Sequence, residues 1–306
     1  QQWDDTDTPV DPVSSLREER NMRLGLQSIK QAESVSYIVP RNNWSSSTIY
    51  DAYDDNVAGY PTRPYYVLTE DSRVYICLQQ GRTTAGVAVP STVKPNTVTS
   101  KSFKLADGYV WKFLYTLTAG NTDKYLSSSF MPVEVLDGGD SAGNPLRSGW
   151  VAANIAQKLI QDSAVVGQIA SLTLTNGGSG YTSVPTVTIS GDGGSAATAT
   201  AIISGTSVVD IQLDSNVAGQ LGLRHGSGFT KAAVTISGGG GTLATARANL
   251  SPALGFGADP TADLRSTALM FNTKPAGTES GKFLIGQDFR QVALIKNPKV
   301  TGTTDS

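Results

Sequence analysis

The stretch Asp107-Gly108-Tyr109-Val110-Trp111-Lys112-Phe113-Leu114-Tyr115-Thr116 decides the fold class. Asp-Gly is a turn pair, because both residues tolerate backbone conformations that a tight reversal needs. After it, Tyr109, Trp111, Phe113 and Tyr115 alternate with Val110, Lys112, Leu114 and Thr116. A period of two is the period of a strand, so the spacing puts all four aromatics on one face. That face reads as core or as a cross-strand aromatic ladder. Its functional reading is an aromatic contact surface for a partner subunit.

The same signals recur on either side. Tyr65–Leu68 and Val74–Leu78 flank Glu70-Asp71-Ser72, which reads as a hairpin. Tyr37-Ile38-Val39 is a short strand stopped by Pro40, and Thr267–Asn272 and Phe289–Ile295 also read as strands. Two helices are expected. Ser15 and Glu18 stand at capping-box spacing, and Met22, Leu26 and Ile29 recur at helical intervals, which predicts a helix near 15–31. Asp259 before Pro260 is an N-cap and first-turn pair, which predicts a short helix to about Arg265. Residues 1–13 are acidic and carry Pro9 and Pro12, the marks of an extended arm, and 301–306 read as a tail.

From Ala164 to Leu250 the composition changes. These 87 residues hold six charges and 16 of the 32 glycines. They also repeat: Val187-Thr188-Ile189-Ser190-Gly191 returns as Val234-Thr235-Ile236-Ser237-Gly238, 47 residues on, and 11 of 15 positions match when the alignment runs to Ala201 and Ala248. Upstream, Gly178–Thr182 matches Gly226–Thr230 after a one-residue slip. Each copy reads as a Gly-rich turn, a Thr/Val/Ile strand, a second turn and an Ala/Thr strand. Neither buries much alone, so the two are expected to pack together as one inserted subdomain, 164–250. The division expected is thus a core domain of 14–163 and 251–300 around that insertion.

Composition supports a mainly β chain. Of 306 residues 16% are charged, and Ser and Thr number 32 each. Such a chain is made for strands and turns. The net charge of -2 provides no basic field for nucleic acid. No run of 18 apolar residues exists, so no spanning helix is expected, and Gln1–Asp5 does not open a signal peptide. Cys77 and His225 are each the only residue of their kind, which excludes a disulfide within the chain and any two-imidazole chemistry.

Catalytic patterns are weak throughout. His225, in Arg224-His225-Gly226-Ser227-Gly228, reads as a structural or solvent-facing loop residue, because its counterpart turn in the first repeat has none. Gly-Ser-Gly at 178–180 and 226–228 lacks the spacing of a nucleophile elbow. Gly238–Gly241 lacks the Lys of a phosphate loop. The acids Asp4, Asp5 and Asp7, and Asp51, Asp54 and Asp55, read as solvated surface before they read as a calcium site. A polysaccharide-cleaving enzyme would need paired acids on one groove, with Asp51, Asp54, Asp55 and Glu70 as the candidates. Cys77 reads as a buried, inert thiol. No enzyme activity, cofactor or metal is expected.

Four segments resemble one family. They are Tyr37-Ile38-Val39-Pro40-Arg41-Asn42-Asn43-Trp44, Val74–Leu78, Asp107–Leu114 and Phe289-Arg290-Gln291-Val292-Ala293-Leu294-Ile295-Lys296-Asn297-Pro298. In this order and rough spacing they are similar to the baseplate wedge protein of T-even-type contractile-tailed phages, the gene-8 product family. The acidic segment after Trp3, and the helix with Arg23 and Lys30, are similar too. The likeness covers roughly 1–135 and 250–300, whereas 164–250 resembles Gly/Thr-rich repeats of cyanobacterial and marine myophage structural proteins. The resemblance implies a multi-layer β-sandwich with two helix-bearing loops. It implies a homodimer in each wedge of the tail baseplate of the virion, bound to other wedge subunits, without catalysis or cofactor. Partner contacts are then expected at Trp3, Trp44, Tyr109, Trp111, Phe113 and Arg290. The alternative is a tail-fibre or receptor-binding adhesin for host-surface glycan, with Tyr181 and Phe229 as repeat-loop contacts.

Overall fold

A computed structural model describes residues 34–136, 152–215 and 222–272, together with 20, 21, 24 and 25. Residues 35–270 form one compact unit, and 1–34 with 271–306 form the other. The chain is mainly β, as composition predicts. The strand at Phe289–Ile295, most of the helix near 15–31 and the whole of the 1–13 arm lie outside the described residues.

The expected hairpin around Glu70-Asp71-Ser72 is present, and so is the long strand after Asp107-Gly108. Strand β1 (Ser34–Pro40) is followed by β2 (Tyr66–Leu68) and β3 (Arg73–Gln79), paired antiparallel, and then β4 (Phe103–Lys104) and β5 (Val110–Thr116). The four-stranded sheet runs β2-β3-β5-β4. Strands β3 and β5 are buried along almost their whole length, so this sheet is an inner layer with a core on each face. Val74, Ile76, Leu78, Val110 and Leu114 fill one core. Tyr75, Cys77, Tyr109, Trp111 and Phe113 fill the other.

Tyr115 departs from the alternation. Tyr115 pairs with Val74 and Phe113 with Tyr75, so Leu114 is an extra residue in β5. One inserted residue turns everything beyond it to the opposite face. Tyr115 therefore joins Leu114 in the first core, where its hydroxyl donates to the Pro132 carbonyl at 3.1 Å. The expectation of four aromatics on one face holds for three.

Two helices were not expected. Helix α1 (Ala119–Tyr125) is capped by Thr118, whose hydroxyl accepts from the Asn121 N–H. The buried Glu134 carboxylate accepts in turn from the Thr118 N–H at 2.6 Å, the Thr118 hydroxyl at 2.8 Å and the Asn121 amide at 2.7 Å. After β6 (Phe130–Pro132), which pairs with β1, comes α2 (Ala152–Asp162), which sets Ile160 into the aromatic core.

The repeat region supplies β7 (Ile169–Ser179), β8 (Thr186–Ser190), β9 (Ser195–Ala197), β10 (Ala199–Ser204), β11 (Ser207–Leu213), β12 (His225–Ser227), β13 (Ala233–Ser237) and β14 (Thr242–Leu250). Six of them form one sheet, in the order β11-β10-β8-β13-β14-β7. Its centre is β8 against β13, antiparallel, with Thr188 opposite Thr235. Those two threonines are 47 residues apart, the offset of the repeat, so each copy pairs with its own equivalent. The next pairs obey the same relation: Thr186 with Thr200 in one copy corresponds to Ala233 with Arg247 in the other. The repeats are thus related by a local two-fold axis through the Thr188–Thr235 pair.

The inner side of this sheet continues the first core. Val187, Ile189, Val234 and Ile236 pack against a cluster that runs from Val39 and Leu68 to Ile211 and Phe229. Helix α3 (Pro260–Asp263) starts where expected, with the Asp259 carboxylate accepting from the Thr261 N–H at 2.9 Å. The final described strand, β15 (Ala268–Asn272), completes a three-stranded sheet in the order β15-β1-β6. Of α1, α2 and α3 only α3 was expected; of the other expected helix, near 15–31, the described Arg20, Asn21 and Leu24 are helical.

Candidate functional site

The proposed partner contacts fall in three places. Tyr109, Trp111 and Phe113 have no exposed surface. Tyr109 stacks on Trp111 at 5.8 Å, Tyr50 meets Trp111 edge-on at 5.7 Å, and Tyr75 meets Phe113 at 5.5 Å. This corrects the expectation of a contact surface: the segment around Tyr50, and Ile160 of α2, pack on the ladder, with Tyr75 and Cys77 of β3 beside it in the same sheet, so it is core and offers a partner nothing. Trp44 is half-buried, and its indole N–H donates to the Ser91 hydroxyl at 3.2 Å. Trp3 and Arg290 lie outside the described residues.

Tyr181 and Phe229 are also buried, so they are corrected as loop contacts for glycan. They hold the two repeats together reciprocally. A Cβ added to Gly194, in the first repeat, would overlap the ring of Phe229, from the second. A Cβ on Gly241, 47 residues after Gly194, would overlap Tyr181, from the first. Each ring is seated on a bare backbone that only glycine supplies, and burying each contributes about 2–3 kcal/mol.

The acids separate. Glu70 lies on the β2–β3 turn beside Lys94, at 2.5 Å. Asp54 and Asp55 both bind Arg247 of β14, at 2.6 and 3.0 Å, and the Asp55 carboxylate also accepts from the Leu250 N–H. Asp51 and Asp54 line one cleft, which they share with Asp210 of β11. Among the described residues no three His, Cys, Asp or Glu side chains gather as metal ligands, and no helix is long and apolar enough to cross a membrane. Cys77 is buried, and burial pushes its thiol pKa up, away from reactivity.

The closest approach to catalytic geometry surrounds His225, which is buried at the start of β12. Its Nδ1 lies 2.6 Å from the Ile169 carbonyl, and its Nε2 lies 2.6 Å from the Ser102 hydroxyl. A carbonyl only accepts, so Nδ1 carries the proton and donates. Nε2 is then the acceptor, and Ser102 donates to it. That is the polarity of a serine nucleophile and its base. Two features oppose such chemistry. The ring is oriented by a carbonyl, where a triad has a carboxylate. Burial, with the nearby Lys112 charge adding to it, pulls the His225 pKa down to about 4, too weak a base for proton abstraction near pH 7. What the pair does is tie the segment before β4 to β7 and β12 of the repeat region.

A cleft of about 260 Å3 adjoins this pair, with Lys112 in its wall. Lys112 shares the face of β5 that carries Val110 and Leu114. It is almost fully buried, with its ammonium donating to the Ser100 carbonyl at 2.6 Å. Burial lowers its pKa, and the charge of Asp263 opposes that shift. Asp263 is fully buried too. One of its oxygens accepts from the Gly257 N–H at 2.8 Å, the other has no partner, and burial raises its pKa.

Ser102, Lys112 and Asp263 escape sequence reasoning. A lone Ser, a Lys in an alternating strand and an Asp in a helix have no spacing signature. Comparison with protein-family models, with curated proteins and with solved structures finds no match.

Proposed function

We propose that the chain is a structural subunit of the baseplate wedge of a contractile phage tail. It acts through protein–protein contact, as a homodimer joined to other wedge subunits, and without catalysis. The observation that supports this most is the outer face of the repeat sheet. Strands β8 and β13 expose Thr186, Thr188, Ser190, Ala233, Thr235 and Ser237, with no charge among them. Charge depletion is one mark of the buried part of a contact surface, and a regular sheet offers such a surface without the entropy cost of ordering a loop. The low charge of the whole repeat region agrees with this.

The test places charge on that face. The double variant Thr188→Arg with Thr235→Arg adds two guanidiniums that solvent accepts readily but an interface does not. The wild-type chain, mixed with the other wedge subunits of its tail, is expected to enter the complex. Its own mass by light scattering is expected at twice the chain mass of 32.1 kDa. The variant is expected to melt as the wild type does yet stay out of the complex. Equal incorporation of both would remove the face from the interface. A wild-type chain that neither pairs nor enters any tail complex would overturn the assembly reading.

A further inference from the structure

The 35–270 unit holds a second cleft, of about 270 Å3, that shares no lining residue with the one beside His225. One wall carries Asp51, Arg63, Gln79 and Arg82. The facing wall carries Asp210 of β11, with Leu172 and Leu174 of β7 as its apolar part. Gln79 is 8% exposed, and its Nε2 has no hydrogen-bond partner. A buried amide nitrogen left unpaired costs about 1–3 kcal/mol, which a ligand oxygen would recover. Among the described residues, the Asp51 carboxylate and the Arg63 guanidinium likewise make no hydrogen bond or ion pair. Asp210 is held in place by Arg82, at 3.7 Å, and by the Gln212 amide, at 2.8 Å.

The chemistry of this lining selects a ligand class. Three carboxylates, Asp51, Asp54 and Asp210, share the lining with two guanidiniums, Arg63 and Arg82, so neither a phosphate nor a polyamine is matched. Donors and acceptors are interleaved, which suits hydroxyls, since each donates and accepts. The leucines offer an apolar patch to the C–H face of a ring. The volume lies just under the roughly 300–1,000 Å3 of drug-sized sites.

We propose that this cleft binds one neutral sugar ring, with Asp51 accepting from its hydroxyls and Gln79 and Arg63 donating to them. The site is separate from the uncharged sheet face, so it stands or falls independently of the assembly reading.

Saturation-transfer NMR on the full chain tests this. The probes are glucose, galactose, mannose and N-acetylglucosamine, each also as its methyl glycoside. Titration runs to about 50 mM, where even a millimolar complex saturates. Saturable transfer from at least one sugar is expected. It should weaken about tenfold in Asp51→Asn and in Arg63→Ala, each of which removes one charged hydrogen bond. Arg63 is exposed, so its variant keeps the fold, and an unchanged melting curve confirms that. Transfer retained by the methyl glycoside assigns the ligand as the end of a glycan chain; transfer only from the free sugar assigns a monosaccharide. No saturable transfer from any probe, or transfer that both variants leave unchanged, overturns the proposal and leaves the cleft a hydrated gap.

Discussion

His225 makes stability depend on pH in a way that one substitution isolates. In the folded chain the imidazole is buried and neutral, with its pKa pulled down to about 4. In the unfolded chain it titrates near its ordinary value of about 6.5. Below that value the unfolded state binds a proton that the folded state refuses. Stability is therefore lost as pH falls from about 6.5 towards 4, and is fully present above 6.5. The loss is about 1.4 kcal/mol for each pH unit in that window, or about 2 kcal/mol at pH 5. Carboxylates titrate in the same range, so the wild type alone cannot be read. His225→Gln removes this titration and leaves the others. Urea unfolding followed by tryptophan fluorescence, at pH 7 and pH 5, should show the wild type losing about 2 kcal/mol more than the variant between the two. At pH 7 the variant itself is less stable, because the Ser102 and Ile169 hydrogen bonds are disturbed. Equal pH dependence in the two proteins would refute the reasoning, and would mean that His225 keeps its proton or reaches water when folded.

Four further outcomes are expected. Gly194→Ala should destabilise by about 1–3 kcal/mol in thermal or urea unfolding, because its methyl meets the Phe229 ring. Gly120→Ala, in α1 with open space around it, should be neutral or stabilising by up to about 1 kcal/mol. Glu134→Leu should cost about 2–4 kcal/mol by urea unfolding and unravel α1 by hydrogen exchange, since three donors lose one acceptor. Arg247→Ala should cost only about 1 kcal/mol, because Arg247, Asp54 and Asp55 are each about a quarter exposed, and 1 M salt should reduce the difference.

What the amino-acid order reveals here follows from how local each signal is. The β2–β3 hairpin is legible because two apolar runs flank a turn a few residues long, whereas the two-residue β4 is too short to leave a pattern. The repeat strands are legible because the same words occur twice. Tyr115 is misplaced because a bulge carries no mark of its own: Leu114 looks like any strand residue until its partner strand is known. Helix α2 left no clean stripe, because its buried positions are Gln157 and Ile160 while the apolar Leu159 faces solvent. Ser102 and His225 stand 123 residues apart, and only the folded chain brings them within 2.6 Å. The aromatic contacts failed for a related reason. A stripe of rings looks the same whether a partner or the chain itself covers it, and here the chain does.

The two-fold relation between the repeats has a consequence for molecules at high local concentration. A strand that pairs antiparallel with its own duplicate is self-complementary, and β8 of one molecule presents the register that β13 of another expects. Two chains can therefore exchange repeats without changing a single pair in the sheet, leaving only the connections between strands to favour closure within one chain. The duplication that completes the sheet is also a built-in route to swapped oligomers. The interlock of Tyr181 on Gly241 and Phe229 on Gly194 survives such an exchange intact, so it stabilises both arrangements equally and cannot discriminate between them.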